Sequence, residues 1–397
     1  MSSTMEQVRL WQGPAIFSYG FRPFFLGAAV WACLSMLLWI PMITGVVELP
    51  TAFDPVSWHA HEFLFGYLNA VLGGFLLTAI PNWTGRMPIV GKPLALLFSL
   101  WVLGRFAILF SAFLPAGVVA LMDIAMPIAL ALAAVREIIA GKNWRNLIVI
   151  ALLGVLITAN LMFHWEAWRS EYAAQGYGMR LGVSVMLLMV ALIGGRVIPS
   201  FTRNWLAKQG AQKMPVSPMQ VLDKVALLAL MIAGVTWTVL QDHWVAGLAF
   251  FVAGVLHAVR LTRWCGLQTF AEPLLLVLHI GYLFLPIGLL SLGVALLAPS
   301  LLDATVSQHV LMAGVMGMMT LAVMTRAILG HTGRELTASK GTSVLFIFFG
   351  LSILARFAVA FLPDFAARLY DVAGLLWILS FAAFIVIYGP LLLRSRD

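Results

Sequence analysis

Two histidines and a carboxylate stand together at the head of a long apolar segment, in the run Trp58-His59-Ala60-His61-Glu62. Ionisable side chains are costly inside a membrane-spanning segment, so such a cluster predicts a functional site. Imidazole is a good ligand for iron, copper and zinc. Because a helix turns about 100° per residue, His59 and His61 point to nearly opposite sides and would serve different sites. The alternative is that both cap the helix at the water interface.

The composition is that of an integral membrane protein. Of 397 residues, 62% are hydrophobic and 10% are charged, whereas a soluble domain has about 25% charged residues. The net charge of +8 does not indicate nucleic-acid binding, because Lys and Arg are dispersed over short loops. Cys33 and Cys265 lie far apart, which gives neither a disulfide framework nor a thiolate metal motif.

Twelve apolar runs of roughly 20 residues predict twelve transmembrane helices. They cover 23–43, 58–80, 93–114, 116–139, 146–164, 179–199, 219–240, 244–262, 271–297, 304–328, 341–362 and 366–391. We therefore expect an all-α integral membrane protein with one polytopic domain over 1–397. A short cytoplasmic N-terminal segment, 1–22, precedes the first helix.

The placement of Lys and Arg orients the chain. If the helices alternate in direction, nineteen basic residues fall on one side of the membrane and three on the other. The positive-inside rule then predicts that both termini are cytoplasmic. The remaining two, Arg105 and Arg356, lie inside predicted helices and need anionic partners. Haem propionates fit that requirement, and for Arg105 the alternative is Asp123 on the adjoining helix.

The second and tenth helices share a sequence pattern, which we call the echo. His61 precedes Thr84-Gly85-Arg86 at the same spacing at which His309 precedes Thr332-Gly333-Arg334. The helices that follow each carry a Leu-x-Arg-Phe-Ala motif, and the sixth helix shows a weaker echo. This pattern suggests three four-helix units related by an axis along the membrane normal. The alternative is chance recurrence of abundant apolar residues.

The predicted orientation divides the histidines into an outer and an inner group, compatible with two metal sites. The outer group is His59, His61, His164, His243 and His309, and the inner group is His257, His279 and His331. His279 lies deep in an apolar helix and needs either a metal or an interhelical hydrogen bond. For His257 the alternative is a position at the interface beside Arg260. His164 begins a polar loop, where solvation explains it.

Several motifs in combination resemble the NnrS family. They are Phe17–Phe25 (FSYGFRPFF), Trp58–Glu62 (WHAHE), Gly73–Phe75 with Pro81–Gly85, Gly194–Arg196 with Pro199–Asn204, and the stretch from His309 to Arg334. The resemblance covers nearly the whole chain. NnrS proteins are twelve-helix bacterial inner-membrane proteins that carry haem and copper and are associated with nitric oxide metabolism and protection from nitrosative stress.

The resemblance implies haem, of b-type, and copper as a further cofactor. It also implies nitric oxide as the small-molecule ligand and the lipid bilayer as the surroundings, and it leaves the electron donor unknown. A looser, fold-level likeness links the chain to the haem–copper oxidase superfamily, which has twelve core helices and haem ligands on helices two and ten. His61 and His309 fall on those helices, but helix six lacks the copper-binding histidine of that superfamily.

On this basis His61 and His309 are expected to ligate haem iron. His59 and His279 are the next candidates for a second metal or haem, and His257 follows them as a metal ligand.

Three further residues complete the expected site. Arg105 and Arg356 would hold propionates, and Glu62 would orient a histidine or pass protons.

We expect a haem-binding and copper-binding protein that acts in nitric oxide metabolism or nitrosative-stress protection. If the protein is an enzyme, we expect an oxidoreductase. The alternatives are a secondary transporter of copper or a small solute, and a non-catalytic nitric oxide sensor or cofactor chaperone.

Overall fold

The computed structural model describes residues 11–394, and within that range all regular structure is helical. Twelve helices there are long and apolar enough to cross a membrane, so the predicted all-α, twelve-span class is confirmed. They are α1 Phe21–Ile43, α2 Pro55–Thr84, α3 Lys92–Leu109, α4 Ala116–Ala140, α5 Leu147–Trp168, α6 Tyr177–Lys208, α7 Val221–Leu240, α8 Trp244–Thr262, α9 Pro273–Leu297, α10 Ala304–His331, α11 Lys340–Ala358 and α12 Ala366–Leu393. Residues 1–10 of the predicted N-terminal segment lie outside the described residues.

Two helices continue past a proline that the sequence placed at or just beyond their end. The α6 helix runs through Pro199 to Lys208, and α2 runs through Pro81 to Thr84. Proline removes one backbone N–H, but membrane helices tolerate it because neighbouring groups satisfy the freed carbonyl. The predicted ends at 199 and 80 are therefore too early.

The helices form two compact units. Unit 1 comprises the described residues up to Gly182 and those from Phe381 onward, and unit 2 comprises Val183–Ser380. Unit 1 thus holds α1–α5 with the beginning of α6 and the end of α12. The single domain and the three four-helix repeats stay predictions.

In unit 1, α4 packs against α2, α3 and α5, and α1 packs against α2. Gly104 allows the close approach of α3 and α4, because a Cβ at this position would lie 3.1 Å from the Cα of Asp123. Arg22, buried at the beginning of α1, donates to the carbonyls of Leu392 at 3.0 Å and Arg394 at 2.7 Å. Carbonyls at a helix C-terminus lack intrahelical partners, so the Arg22 guanidinium caps the C-terminal end of α12.

In unit 2, α8 packs between α7 and α9, and α9 packs against α10. The backbones of α8 and α9 touch at a pair of glycines. A Cβ at Gly247 would lie 3.1 Å from the carbonyl oxygen of Gly293, and one at Gly293 would lie 2.9 Å from that of Gly247. Small residues bring membrane helices together in this way.

The predicted echo between α2 and α10 is matched by their local structure. Both begin at an aspartate, Asp54 or Asp303, whose side chain accepts hydrogen bonds from backbone N–H groups of the first turn. Both then become π-helical directly after the histidine of the echo, over Glu62–Tyr67 in α2 and Val310–Gly317 in α10. Such π-helical segments occur frequently at functional sites.

Candidate functional sites

A cluster of buried polar side chains lies toward one end of unit 1. Its members come from the beginnings of α2 and α4 and from the ends of α3 and α5. They are His61, Glu62, Arg105, Asp123, Asn160 and His164. Burying so many polar groups is costly unless they satisfy one another. Their mutual contacts satisfy most of these groups, while Oε2 of Glu62 and Nε of Arg105 are buried without a hydrogen-bond partner.

His61 is fully buried, and both of its ring nitrogens face oxygen atoms. The Nδ1 atom lies 3.0 Å from Oε1 of Glu62. The Nε2 atom lies 3.1 Å from Oδ2 of Asp123 and 3.2 Å from Oδ1 of Asn160. Carboxylate and amide oxygens only accept hydrogen bonds. Both ring nitrogens therefore donate in this arrangement, and His61 is protonated.

Arg105 joins the two carboxylates of the cluster. Its Nη1 donates to Oε1 of Glu62 at 2.6 Å, and its Nη2 donates to Oδ1 of Asp123. Asp123 is thus the partner of Arg105 in this structure, which was the alternative to a haem propionate. Two carboxylates face one guanidinium and one imidazolium, so the buried charges balance, as burial of ions requires.

Asp123 is also held from α5. Asn160 donates through Nδ2 to Oδ2 of Asp123 at 2.7 Å, and Nε2 of His164 lies 3.1 Å from the same oxygen. The sequence had explained His164 by solvation, whereas the structure buries it. The missed signal is the spacing of four residues between Asn160 and His164, which puts both on one face of an otherwise apolar helix.

The π-helical segment of α2 makes room for the cluster at Gly66. A Cβ there would lie 2.5 Å from Nη1 of Arg105 and 2.9 Å from Oε2 of Glu62. Trp101 donates through Nε1 to the Gly66 carbonyl at 2.9 Å, which ties α3 to this turn. Any larger residue at position 66 would displace the guanidinium of Arg105.

Three residues of the cluster form a donor set for a metal ion. His61, Asp123 and His164 each offer one donor atom, and these atoms lie within 4.8 Å of one another. Two imidazoles and a carboxylate suit first-row ions such as Fe²⁺, Cu²⁺ and Zn²⁺.

The surroundings of His61 do not fit a haem. Four rings surround its imidazole, with centroids 5.2 to 5.6 Å away. They belong to Phe53, Phe65, Phe163 and His164. Because these rings pack against the imidazole from several sides, the arrangement offers no face for a porphyrin. The haem role predicted for His61 stays a prediction, but the packing favours a smaller ligand.

His59 points away from the cluster. It is half-buried and stacks on Trp39, with ring centroids 4.1 Å apart. The structure therefore does not bring His59 and His61 to one site, in agreement with their spacing.

In unit 2, His309 and Arg356 are neighbours. Nδ1 of His309 lies 2.8 Å from the Thr305 carbonyl, so its N–H donates there. Nη2 of Arg356 lies 3.2 Å from the same Nδ1, which in this tautomer accepts nothing. Nη1 of Arg356 is buried without a hydrogen-bond partner, and the guanidinium lies 4.8 Å from the ring centroid of Tyr370. Arg356 is therefore short of acceptors.

Exposure pairs His309 with His59 rather than with His61. Both belong to the motif Val-Ser-x-His, in which Ser57 and Ser307 are buried and the histidines are half-buried. His61 is instead fully buried. The sequences of α2 and α10 can therefore be aligned in two ways, with His309 opposite His61 or opposite His59.

The two histidines predicted for the inner group are engaged within unit 2. His257 contacts the Tyr282 hydroxyl at 2.8 Å and the Ala226 carbonyl at 3.2 Å. His279 contacts Oγ1 of Thr202 at 2.9 Å, and its Nδ1 is buried without a partner. Of the two, only His279 keeps a ring nitrogen for another ligand.

Arg260 was assigned by sequence to a cytoplasmic end but is fully buried. It donates to Oδ1 of Asp223 and to the Tyr282 hydroxyl, each at 2.7 Å, and to the Ala191 carbonyl at 3.0 Å. Since His257 is fully buried too, the alternative that it reaches the interface beside Arg260 is not observed. Both belong to an internal network.

The fold and the buried cluster define a class: a polytopic, all-α membrane protein with a charged histidine–carboxylate cluster among its helices. The family model described as NnrS protein matches residues 15–396. The chain therefore belongs to the NnrS family. No curated protein matches it in a sequence search.

Proposed function

We propose that this protein binds haem through His309 and acts in nitric oxide metabolism or protection from nitrosative stress. The observation that carries the proposal is the pair His309 and Arg356: a half-buried imidazole beside a guanidinium whose Nη1 is buried without a hydrogen-bond partner. Membership of the NnrS family supports the physiological setting. We propose copper as the second cofactor.

The hydrogen bond from His309 to its own helix supports the ligand role. The Nδ1–H donated to the Thr305 carbonyl at 2.8 Å fixes the orientation of the ring, so that Nε2 is the atom that would bind the iron. A hydrogen bond from the other ring nitrogen to a carbonyl is the usual support of a metal-binding histidine.

Arg356 supports a carboxylate-bearing cofactor. Its buried Nη1 has no hydrogen-bond partner, and a guanidinium pairs well with carboxylates. The guanidinium also lies over the Tyr370 ring, 4.8 Å from its centroid. A haem bound here supplies one-electron chemistry and a coordination position for a gas.

Haem content tests this proposal directly. Detergent-purified protein is expected to give a b-type spectrum in a reduced-minus-oxidised measurement, and His309→Ala is expected to lose at least nine-tenths of the haem. The matched control is His243→Asn, which removes an imidazole but keeps an acceptor at the helix cap that His243 provides. Full haem content in folded His309→Ala would overturn the assignment.

For localisation, we propose the inner membrane of a bacterium with both termini cytoplasmic. The strong asymmetry of Lys and Arg between alternate loops supports this orientation. The multi-pass character itself follows from the twelve spans.

A second candidate function is secondary transport of copper or another small solute. The matched π-helical interruptions of α2 and α10 favour it, because interrupted helices at corresponding positions often bind the substrate of a transporter. Transport predicts uptake of Cu⁺ into proteoliposomes and protein without haem. The haem proposal predicts the reverse.

A further inference from the structure

We propose that His61, Asp123 and His164 bind one divalent first-row transition-metal ion in unit 1. The inference deepens the proposed function only in that copper is one such ion. It does not depend on haem at His309, because the donors are a different set of residues.

The spacing of the donors fits a shared ion. Nε2 of His61 and Nε2 of His164 each lie 3.1 Å from Oδ2 of Asp123. Metal–ligand bonds of about 2.1 Å at angles of about 90° to 109° separate donor atoms by about 3.0 to 3.4 Å. These contacts therefore have the length expected between ligands of one metal as well as that of hydrogen bonds.

The residues behind the donors resemble the supports of known metal sites. Nδ1 of His61 lies 3.0 Å from Oε1 of Glu62, so a carboxylate orients the ring and leaves Nε2 for the ion. Arg105 holds the other oxygen of Asp123. Oδ1 of Asn160, 3.2 Å from Nε2 of His61, is a fourth donor within reach.

Protonation and burial are compatible with a cation. A bound ion replaces both hydrogens that the imidazoles direct at Oδ2 of Asp123. The proton on Nε2 of His61 passes to solvent, and the hydrogen on Nε2 of His164 is exchanged for one on its Nδ1, which leaves that ring neutral. Phe53, Phe65 and Phe163 pack around His61 and shield the donors from water. A low local dielectric strengthens the attraction between the ion and its carboxylate.

Metal stoichiometry tests the inference. Protein stripped with a chelator is reloaded with Zn²⁺ alone or Cu²⁺ alone, desalted and analysed for bound metal; iron is not used, because haem contains it. Wild type is expected to retain one Zn²⁺ or one Cu²⁺ per chain, and the Cu²⁺ EPR spectrum is expected to show coupling to two nitrogens. His164→Gln and Asp123→Asn are expected to bind at least tenfold more weakly, and His164→Gln also loses one nitrogen coupling.

Two controls make the outcome decisive. His243→Asn is expected to bind as wild type, and Glu62→Gln to keep the stoichiometry with affinity lowered about 10- to 100-fold. If Asp123→Asn fails to fold, His164→Gln carries the test, since its amide preserves a donor to Asp123. Unchanged binding in folded His164→Gln, or no retained metal in wild type, would overturn the proposal and leave an ion-pair network. Neither result would alter the haem content expected from His309.

Discussion

At the scale of single residues, the cost of burying charge decides which side chains meet. Glu62 and Asp123 are almost fully buried, and the same guanidinium of Arg105 contacts both. Removing one partner from a buried ion pair leaves the others uncompensated, which is far more costly than losing an exposed pair. The cluster is thus expected to matter for stability as well as for ligand binding.

Replacing Arg105 by alanine is expected to lower the free energy of unfolding by about 3–5 kcal/mol, because two buried carboxylates then face one imidazolium. Chemical denaturation in detergent measures the change. The control is Arg169→Ala, which removes an exposed ion pair with Glu171 and is expected to cost less than about 1 kcal/mol. Equal losses in the two variants would show that the charges of the cluster do not depend on Arg105.

The sequence identified His61, Glu62 and Arg105 because ionisable residues stand out in an apolar helix. It did not identify His164 or Arg260, because both lie near predicted helix ends, where solvation is the simpler explanation. Their burial depends on packing against other helices. The one local sign of it was the spacing of Asn160 and His164 on one face of α5.

At the scale of helices, hydropathy was sufficient to predict all twelve spans but not the π-helical segments of α2 and α10. A π-helical turn has no apolar periodicity that distinguishes it over six or eight residues. The π-helical segment of α2 contributes to the cluster at Gly66, because a Cβ at this position would overlap the guanidinium of Arg105.

Substituting alanine for Gly66 is expected to displace the Arg105 guanidinium and to destabilise the protein by about 1–3 kcal/mol, the usual cost of overpacking. Gly154→Ala is the matched control, since a Cβ there meets no atom within 4 Å and alanine favours the helix. Thermal unfolding in detergent should separate the two variants. A Gly66→Ala protein as stable as Gly154→Ala would contradict the close approach at this turn.

At the scale of the whole molecule, the polar group beside the echoed histidine of α2 in unit 1 differs from that beside the echoed histidine of α10 in unit 2. In unit 1 the cluster is charge-balanced and surrounded by aromatic rings. In unit 2, Nη1 of Arg356 is buried without a hydrogen-bond partner beside the half-buried His309. The helices α2 and α10 thus share their local backbone structure, whereas the side chains around their histidines differ in chemistry.

The predicted orientation is tested by labelling single cysteines from outside the cell. In a background with Cys33 and Cys265 replaced by alanine, Ser170→Cys is expected to react with an impermeant maleimide in cells whose outer membrane alone is permeabilised. Gln209→Cys is expected to react only after the inner membrane is opened, because the basic loop after α6 is placed in the cytoplasm. The reverse labelling pattern would invert the topology.

In the function we propose, this NnrS-family protein acts on nitric oxide at a haem held by His309. The most direct measurement is a titration of the reduced, detergent-purified protein with nitric oxide, followed in the Soret region. We expect a saturable shift at one nitric oxide per haem, and loss of the shift together with the haem in His309→Ala. If haem is present at full content and nitric oxide leaves its spectrum unchanged, the proposed action on nitric oxide at this haem is contradicted.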